Sequence, residues 1–405
     1  MNWDFLIKDK ESLSVSTDTR NLPTGCVYFA LRGETFDGNK FAKQALESGA
    51  SFAVIDNPEY ALPEGTLLVP NTLLALQDLA RAWRRELGLP IIGITGTNGK
   101  TTTKELLATV LSTKYNIHYT QGNLNNQIGV PLTLLQITRA HEMAIVEMGA
   151  SHPGDIKELV DIAEPNYGLI TNVGRAHLQG FGSFEGVQQT KRELYDYLVA
   201  HEGIIFRNAD NPYLEKMLLS ACENSKFKIQ NSKLYTTGVM PCGTNLVGSY
   251  NAENVSAAIC VGEHFGIARE QALEAIRQYV PTNKRSQFMQ TPKNKLVVDA
   301  YNANPTSMFA SINAFEGDTF ILGEMKELGD YAHLEHQNIV NMLAERKATQ
   351  VYLVGKEWMQ TTAPYACFQD VAELREFILS HPIQNAHILL KGSRGVQLEK
   401  IIDLL

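Results

Sequence analysis

GITGTNGKTTTK, residues 93–104, lies between an apolar run, IIGIT (91–95), and a helix-forming run, KTTTKELLATVLSTK. Strand, glycine-rich turn and helix in that order bring backbone N–H groups and the positive end of a helix to one point, which favours an anion. Lys100 adds a charge suited to the β- and γ-phosphates of a nucleotide, and Thr101 a hydroxyl ligand for Mg²⁺. Gly96, Thr97, Asn98, Gly99 and Thr102 complete the expected ATP contacts of the loop. The usual pattern G-x-x-x-x-G-K-[ST] requires Gly at position 94, where this chain has Ile94; its glycines stand at 93, 96 and 99.

On both sides of the loop, short β-rich runs alternate with helical patterns, the signature of α/β domains built on mainly parallel sheets. Before it come CVYFAL (26–31), SFAVID (51–56) and TLLVP (66–70), then helical stretches ending near Trp83–Leu87, with Gly88 and Pro90 marking a boundary. After it come NIHYT (116–120), MAIVEMG (143–149), YGLITNVG (167–174) and GIIFRNA (203–209), then two helical patterns that reach Pro281 and a linker at about 280–285. KLVVDAY, TFILGEM, QVYLVG and HILLKGS then each precede a helical stretch. The expected fold is α/β in three domains. These are a small α/β N-terminal domain (1–87), a central phosphate-loop mononucleotide-binding domain with a parallel-rich sheet (88–283), and a C-terminal Rossmann-like domain (284–405). A chain of 405 residues is indeed too long for one ordinary core.

Hydrophobic residues make up 44% of the chain and charged ones 20%, so large cores can be buried. A net charge of -8 argues against a broad nucleic-acid surface, which needs clustered Lys and Arg. Cys26, Cys222, Cys242, Cys260 and Cys367 form no C-x-x-C pair and read as reduced thiols. The start, MNWDFLIKDKES, shows no secretory signal, and no run of about 18 apolar residues occurs. The expectation is a cytoplasmic monomer with neither a membrane nor a nucleic-acid partner.

Chemistry needs more than a nucleotide loop. EMGASHPGDI (147–156) puts Glu147 at the C-terminal end of a strand, where α/β sheets present ligand sites, and a carboxylate there suits Mg²⁺. NVGRAHL (172–178) presents His177 after the next strand. Each alone reads equally well as a solvated residue; their shared place on the loop's own sheet favours function. Lys191, in FEGVQQTKREL, reads from its residue type as a solvated side chain on a polar helix. In GNLNNQIGVPLTLL (122–135), Asn123, Asn125 and Asn126 form either a turn cluster or a set of amide donors to diphosphate or sugar oxygens.

Taken together, these motifs resemble the Mur ligase family over essentially the whole chain. GTNGKTT is the loop form shared by Mur ligases and folylpolyglutamate synthetases. STDTR with TGCVYFALRGETFDGNKF matches the family's uridine-nucleotide domain, GSYNAENVSAA (248–258) its adenine-binding stretch, and LGEMKELGDYAHLEH and LLKGSRG (389–395) its last domain. YNANP, within VVDAYNANPTSM (297–308), belongs to the branch that adds D-alanyl-D-alanine. Tyr250 stands where the family usually has His, and Val298 and Ala300 depart from the commoner DDSYNANP.

The resemblance implies ATP-dependent joining of D-Ala-D-Ala to UDP-N-acetylmuramoyl-tripeptide through an acyl phosphate, with two Mg²⁺ ions. It assigns Thr17, Asp18, Thr19 and Arg20 to the UDP group, and Asn251 and Asn254 to adenine. Asp299 falls to the ribose or metal side, and Arg285 to the nucleotide upon domain closure. Asn302, Asn304, Lys391, Ser393 and Arg394 fall to the acceptor dipeptide or the substrate's anionic groups. Lys191 is implied to be carbamylated by CO₂ and to share the metals with Thr101, Glu147 and His177. Lys100, His177, Lys191 and Arg285 are then the catalytic set. Two rivals remain: a sister amide ligase, and a nucleotide-dependent module with a dead site. Asp210-Asn211-Pro212 lies in the central section and is followed by Tyr213, unlike the D-N-P-R motif that third-residue ligases carry in their last domain.

Overall fold

The computed structural model describes residues 2–223, 225 and 231–405. Three sheets follow one another along the chain. The first joins β1 (Val15–Ser16), β2 (Val27–Phe29), β3 (Phe52–Ile55) and β4 (Thr66–Leu68) in sequence order, all parallel. The second contains β5 (Ile91–Thr95), β6 (Ile117–Tyr119), β7 (Met143–Glu147), β8 (Tyr167–Ile170), β9 (Ile204–Asn208) and β10 (Ser232–Tyr235). Their spatial order is β10-β9-β8-β5-β7-β6, again all parallel. Every residue of β5 and β7 is buried, as a parallel strand covered by helices on both faces requires.

The third sheet is built from β11 (Gln287–Gln290), β12 (Lys295–Asp299), β13 (Thr319–Gly323), β14 (Gln350–Val354), β15 (Ala366–Phe368) and β16 (His387–Lys391). Its order is β11-β12-β16-β13-β14-β15, with only β11 antiparallel. The molecule is therefore a three-domain α/β protein with a central phosphate-loop domain and a Rossmann-like third domain.

The first two domains share a core. The helix Thr72–Leu87 buries Ala75, Leu76, Leu79, Ala80 and Trp83 on one stripe and ends at Gly88, whose φ of 62° closes the last turn. Trp83 Nε1 donates to Ile137 O (2.8 Å), Arg84 Nη2 to Glu164 O (2.9 Å) and Gln77 Nε2 to Gln127 O (3.2 Å), so this helix is fastened to the central domain from Gln77 to Arg84.

Four strands were not expected from the sequence: β1, β10, β11 and β15. Each lies at a sheet edge, where one side of the ladder meets solvent and a short, polar run suffices. One expected helix starts late and another is only 3₁₀. QVYLVG leads first into a 3₁₀ turn, Trp358–Gln360, and β15, and only then into the helix Val371–Ser380. HILLKGS leads into the 3₁₀ segments Arg394–Val396 and Leu398–Leu404. All five cysteines are free, and no helix among the described residues is long and apolar enough to cross a membrane.

Candidate active site

The C-terminal ends of β5, β7 and β8 open into a cleft of about 910 Å³, whose far wall is formed by Arg285, Ser286, Asp299, Tyr301, Asn302, Thr306, Ser307, Ala310, Ser311 and Lys391 of the third domain. Two glycines shape the loop. Gly96 has φ 140°, and a Cβ there would lie 2.0 Å from Thr171 Oγ1; Gly99 has φ 79°, and a Cβ there would lie 2.4 Å from Asn254 Oδ1. Gly99 immediately precedes the helix Lys100–Leu111, so the loop amides gather at its positive end. Thr171 Oγ1 donates to Asn98 O (2.6 Å) and Asn98 N to Asn172 Oδ1 (3.0 Å), bracing the loop from β8. Lys100 Nζ donates to Gly96 O (2.6 Å) and Thr97 O (3.0 Å). Burial lowers its pKa to about 8, countered by the Glu147 carboxylate and reinforced by the Arg285 guanidinium.

Glu147 ends β7 and is buried. Its Oε1 accepts from Asn125 Nδ2 (2.9 Å) and Thr101 Oγ1 (3.3 Å), whereas Oε2 is buried without a partner among the described residues. A buried carboxylate oxygen without a donor is costly unless a cation satisfies it, and a carboxylate beside a hydroxyl is a hard-oxygen pair of the kind Mg²⁺ takes. Among the described residues no three His, Cys, Asp or Glu side chains gather to hold a metal ion. A cation here would draw its other ligands from the nucleotide and water.

His177 adopts the left-handed conformation (φ 50°) just before the short helix Leu178–Phe181, and its Nδ1 meets the Glu327 carboxylate of the third domain. Lys191 corrects the expectation of a solvated side chain. It is 2% exposed on the apolar stripe Val187, Lys191, Leu194, Tyr195 and Leu198 of the helix Phe184–Ala200. Among the described residues Nζ has no hydrogen bond or ion pair and lies 5.4 Å from the Phe181 ring centre. Burial, then the neighbouring Lys100 charge, pushes its pKa well below the ordinary lysine value, against the pull of Asp155 and Glu193.

Asn251 and Asn254 line the cleft but turn their amides to the loop's support. Asn254 Oδ1 accepts from Thr103 Oγ1 (3.0 Å), its Nδ2 donates to Asn251 Oδ1 (2.9 Å), and Asn251 Nδ2 donates to Val247 O (2.8 Å). Asp299, at the end of β12, is a hub rather than a free carboxylate: it accepts from Lys391 Nζ, Ser311 Oγ (3.2 Å) and Ser286 N (3.4 Å). Lys391 is buried in this pair, though it also lines the cleft. Asn302, Asn123, Asn125 and Asn126 line the cleft too. Asn302 Oδ1 accepts from Ala303 N (2.9 Å), and Asn126 Oδ1 accepts from Gly129 N (2.9 Å). Asn304 caps the helix Pro305–Ala314 and donates through Nδ2 to Asn98 Oδ1 (2.7 Å), so the YNANP segment touches the phosphate loop.

Other expected residues lie apart. Thr17, Asp18, Thr19 and Arg20 do not line this cleft; Asp18 and Arg20 pair at 2.6 Å, and that contact holds the Asp18 pKa at about 2. Ser393 Oγ accepts from Lys326 N (3.0 Å), and Arg394 sits 5.5 Å from the Tyr301 ring centre; neither lines the cleft. Sequence reasoning missed the bracing pair Thr171 and Asn172, and the cross-domain pair Arg175–Glu335 (3.0 Å). Asn172 and Arg175 belong to NVGRAHL, and Glu335 to LGEMKELGDYAHLEH, but their roles come from partners far away in the chain.

Three family models match in chain order: the Mur ligase family catalytic domain at 13–84, the Mur ligase middle domain at 94–262, and the Mur ligase glutamate ligase domain at 284–394. A UDP-N-acetylmuramoyl-tripeptide–D-alanyl-D-alanine ligase of Bacillus subtilis (strain 168) is 34% identical over 422 residues, spanning 96% of this chain and 92% of that protein. This chain belongs to the Mur ligase family. Solved Mur ligases share its architecture. MurF from Acinetobacter baumannii matches with a TM-score of 0.83 at 29% identity, over 96% of this chain and 92% of that one. The MurF ligase from Thermotoga maritima in complex with ADP matches with a TM-score of 0.84 at 25% identity, over 98% of both chains.

Proposed function

We propose that this Mur ligase joins D-alanyl-D-alanine to UDP-N-acetylmuramoyl-tripeptide, converting ATP to ADP and phosphate, and so makes the UDP-pentapeptide for peptidoglycan synthesis in the cytoplasm. The observation that carries this proposal is one cleft holding Lys100, Thr101 and Glu147, the last with an unpaired buried oxygen, facing the YNANP segment of the third domain. The names of its relatives agree with it. Domain boundaries are placed after Leu87 and after Asn283, and the protein is taken to act as a monomer.

A carboxylate and an amine do not condense in water without a better leaving group. The terminal carboxylate of the tripeptide attacks the γ-phosphate, ADP departs, and an acyl phosphate forms. The D-Ala-D-Ala amine then attacks the acyl carbon and phosphate leaves. Both partners of the first step are anions, so the site must neutralise them. Lys100 and the loop amides do so from one side, and Arg285 from the other. Thr101 and Glu147 would hold Mg²⁺, which when bound supplies further positive charge to the phosphates.

Lys191 and His177 are assigned to a second metal. Burial disfavours the ammonium form of Lys191, the neutral amine is the form that adds CO₂, and the resulting carbamate would replace a repelling ammonium by anionic oxygens. Asn251 and Asn254 are assigned to adenine, and Asp299 to the ribose or metal side of the nucleotide. Asn123, Asn125, Asn126, Asn302 and Asn304 are assigned to the donor's path and the acceptor side, with Lys391, Ser393 and Arg394. Thr17, Asp18, Thr19 and Arg20 are assigned to UDP. The test is direct: purified protein with ATP and Mg²⁺ should form ADP and UDP-pentapeptide only when both peptide partners are present. ADP release without D-Ala-D-Ala dependence, or ligation of a different amino acid, would point to a sister ligase; no nucleotide turnover at all would point to a dead module.

A further inference from the structure

The chain enters the third domain through Lys284, Arg285 and Ser286. Lys284 (φ 57°) and Ser286 (φ 48°) both adopt the left-handed conformation, which L side chains rarely take. The kink is held in place on each side. Ser286 Oγ lies 2.6 Å from Tyr250 OH, and Lys284 Nζ lies 3.3 Å from Glu399 Oε1. Arg285, between these fixed points, lines the nucleotide cleft. Among the described residues its guanidinium has no hydrogen bond or ion pair; Cζ instead lies 4.0 Å from the centre of the Tyr301 ring.

That contact has a chemical consequence. A cation over an aromatic face is attracted by the ring quadrupole. The attraction engages the flat face of the guanidinium and leaves its N–H donors, which lie in its plane, available to another ligand. A carboxylate in the same place would occupy those donors and cancel the charge. We propose that Tyr301, the first residue of YNANP, is a positioning residue that aims Arg285 at the nucleotide phosphates while leaving its donors free. Tyr301 thus acts through Arg285 and needs no contact with substrate. This deepens the ligase assignment above and rests on it.

The test is a cycle of four proteins, wild type, Tyr301→Leu, Arg285→Ala and the double variant, with Tyr301→Phe as the conservative variant. Turnover with both peptide partners, KM for ATP, affinity for a non-hydrolysable ATP analogue, and thermal stability are measured on each. Tyr301→Leu should lower kcat/KM for ATP about three- to thirty-fold, the range of a cation–π contact. Tyr301→Phe keeps the ring and should restore most of that loss, and Tyr301→Leu should add nothing in the Arg285→Ala background. The proposal is overturned if Tyr301→Leu matches wild type, if its loss persists in full without Arg285, or if Tyr301→Phe is as poor as Tyr301→Leu. If the wild type forms no product, the ligase assignment falls, and the same cycle read in analogue affinity still decides the role of Tyr301.

Discussion

Replacing Gly96 by alanine probes how tightly the phosphate loop is built. At φ 140° the new Cβ would lie 2.0 Å from Thr171 Oγ1, 3.0 Å from Thr171 N and 3.1 Å from Asn172 N. Those atoms cannot retreat cheaply, because Thr171 N donates to Thr95 O (2.9 Å) and Thr171 Oγ1 to Asn98 O (2.6 Å). A left-handed residue with a Cβ costs about 1–2 kcal/mol, and overpacking at a buried contact about 1–3 kcal/mol more. The sum, about 2–5 kcal/mol, must appear either as lost stability or as a loop displaced from the helix end. If the loop gives way, affinity for an ATP analogue should fall roughly 30-fold or more, since each 1.4 kcal/mol is tenfold. Calorimetric titration and thermal melts on the same protein capture both routes. Gly88→Ala is the control: its Cβ meets nothing within 4 Å, so about 1 kcal/mol of stability should go with no change in nucleotide affinity. A Gly96→Ala protein with wild-type melting and wild-type affinity would refute this account of the loop.

Three further outcomes are expected. Glu335 is buried and its counter-ion, Arg175, comes from the other domain, so Arg175→Ala or Glu335→Gln should weaken closure by about 1 kcal/mol, near fivefold in kcat. The charge-swapped double variant should regain part of this, and unchanged compaction in small-angle scattering of the nucleotide-bound single variants would contradict it. Burial, reinforced by His141, lowers the His118 pKa to about 4, so the unfolded chain takes up this proton first as pH falls below its ordinary 6.5. Its contribution is intact above pH 6.5 and lost on descending toward 4; His118→Phe should remove roughly 2 kcal/mol of the difference between urea melts at pH 7 and 4.5, and equal acid losses in both proteins would count against it. Lys191→Ala should lose turnover about 10²-fold or more and recover part of it with small carboxylates, whereas undiminished activity would remove the carbamate from the site.

How far the sequence could carry the fold depended on which strands had neighbours on both sides. Interior strands such as IIGIT and MAIVE are continuous apolar runs because helices cover both faces, and that pattern is visible without any partner. Edge strands such as Gln287–Gln290 alternate half-buried and exposed positions over four residues, too little to separate from a loop. Lys191 is the instructive site residue. Its charge suggested solvent, yet it stands four residues after Val187 and three before Leu194, on the helix's buried stripe, so spacing carried the better signal. Asp299, Asn254 and Asn304 were legible as polar motif residues, but not as a hub, a clamp and a cross-domain cap. Their partners, Lys391, Thr103 and Asn98, are set by the fold rather than by local spacing.

The chemistry itself is open to one labelling experiment. The donor peptide is prepared with ¹⁸O in its terminal carboxylate, and the phosphate released during ligation is examined by mass spectrometry. If Lys100 and Arg285 serve to activate that carboxylate as an acyl phosphate, one ¹⁸O atom passes from the peptide to each phosphate released. Phosphate free of label, with product still forming, would mean that the new amide bond is made without that intermediate.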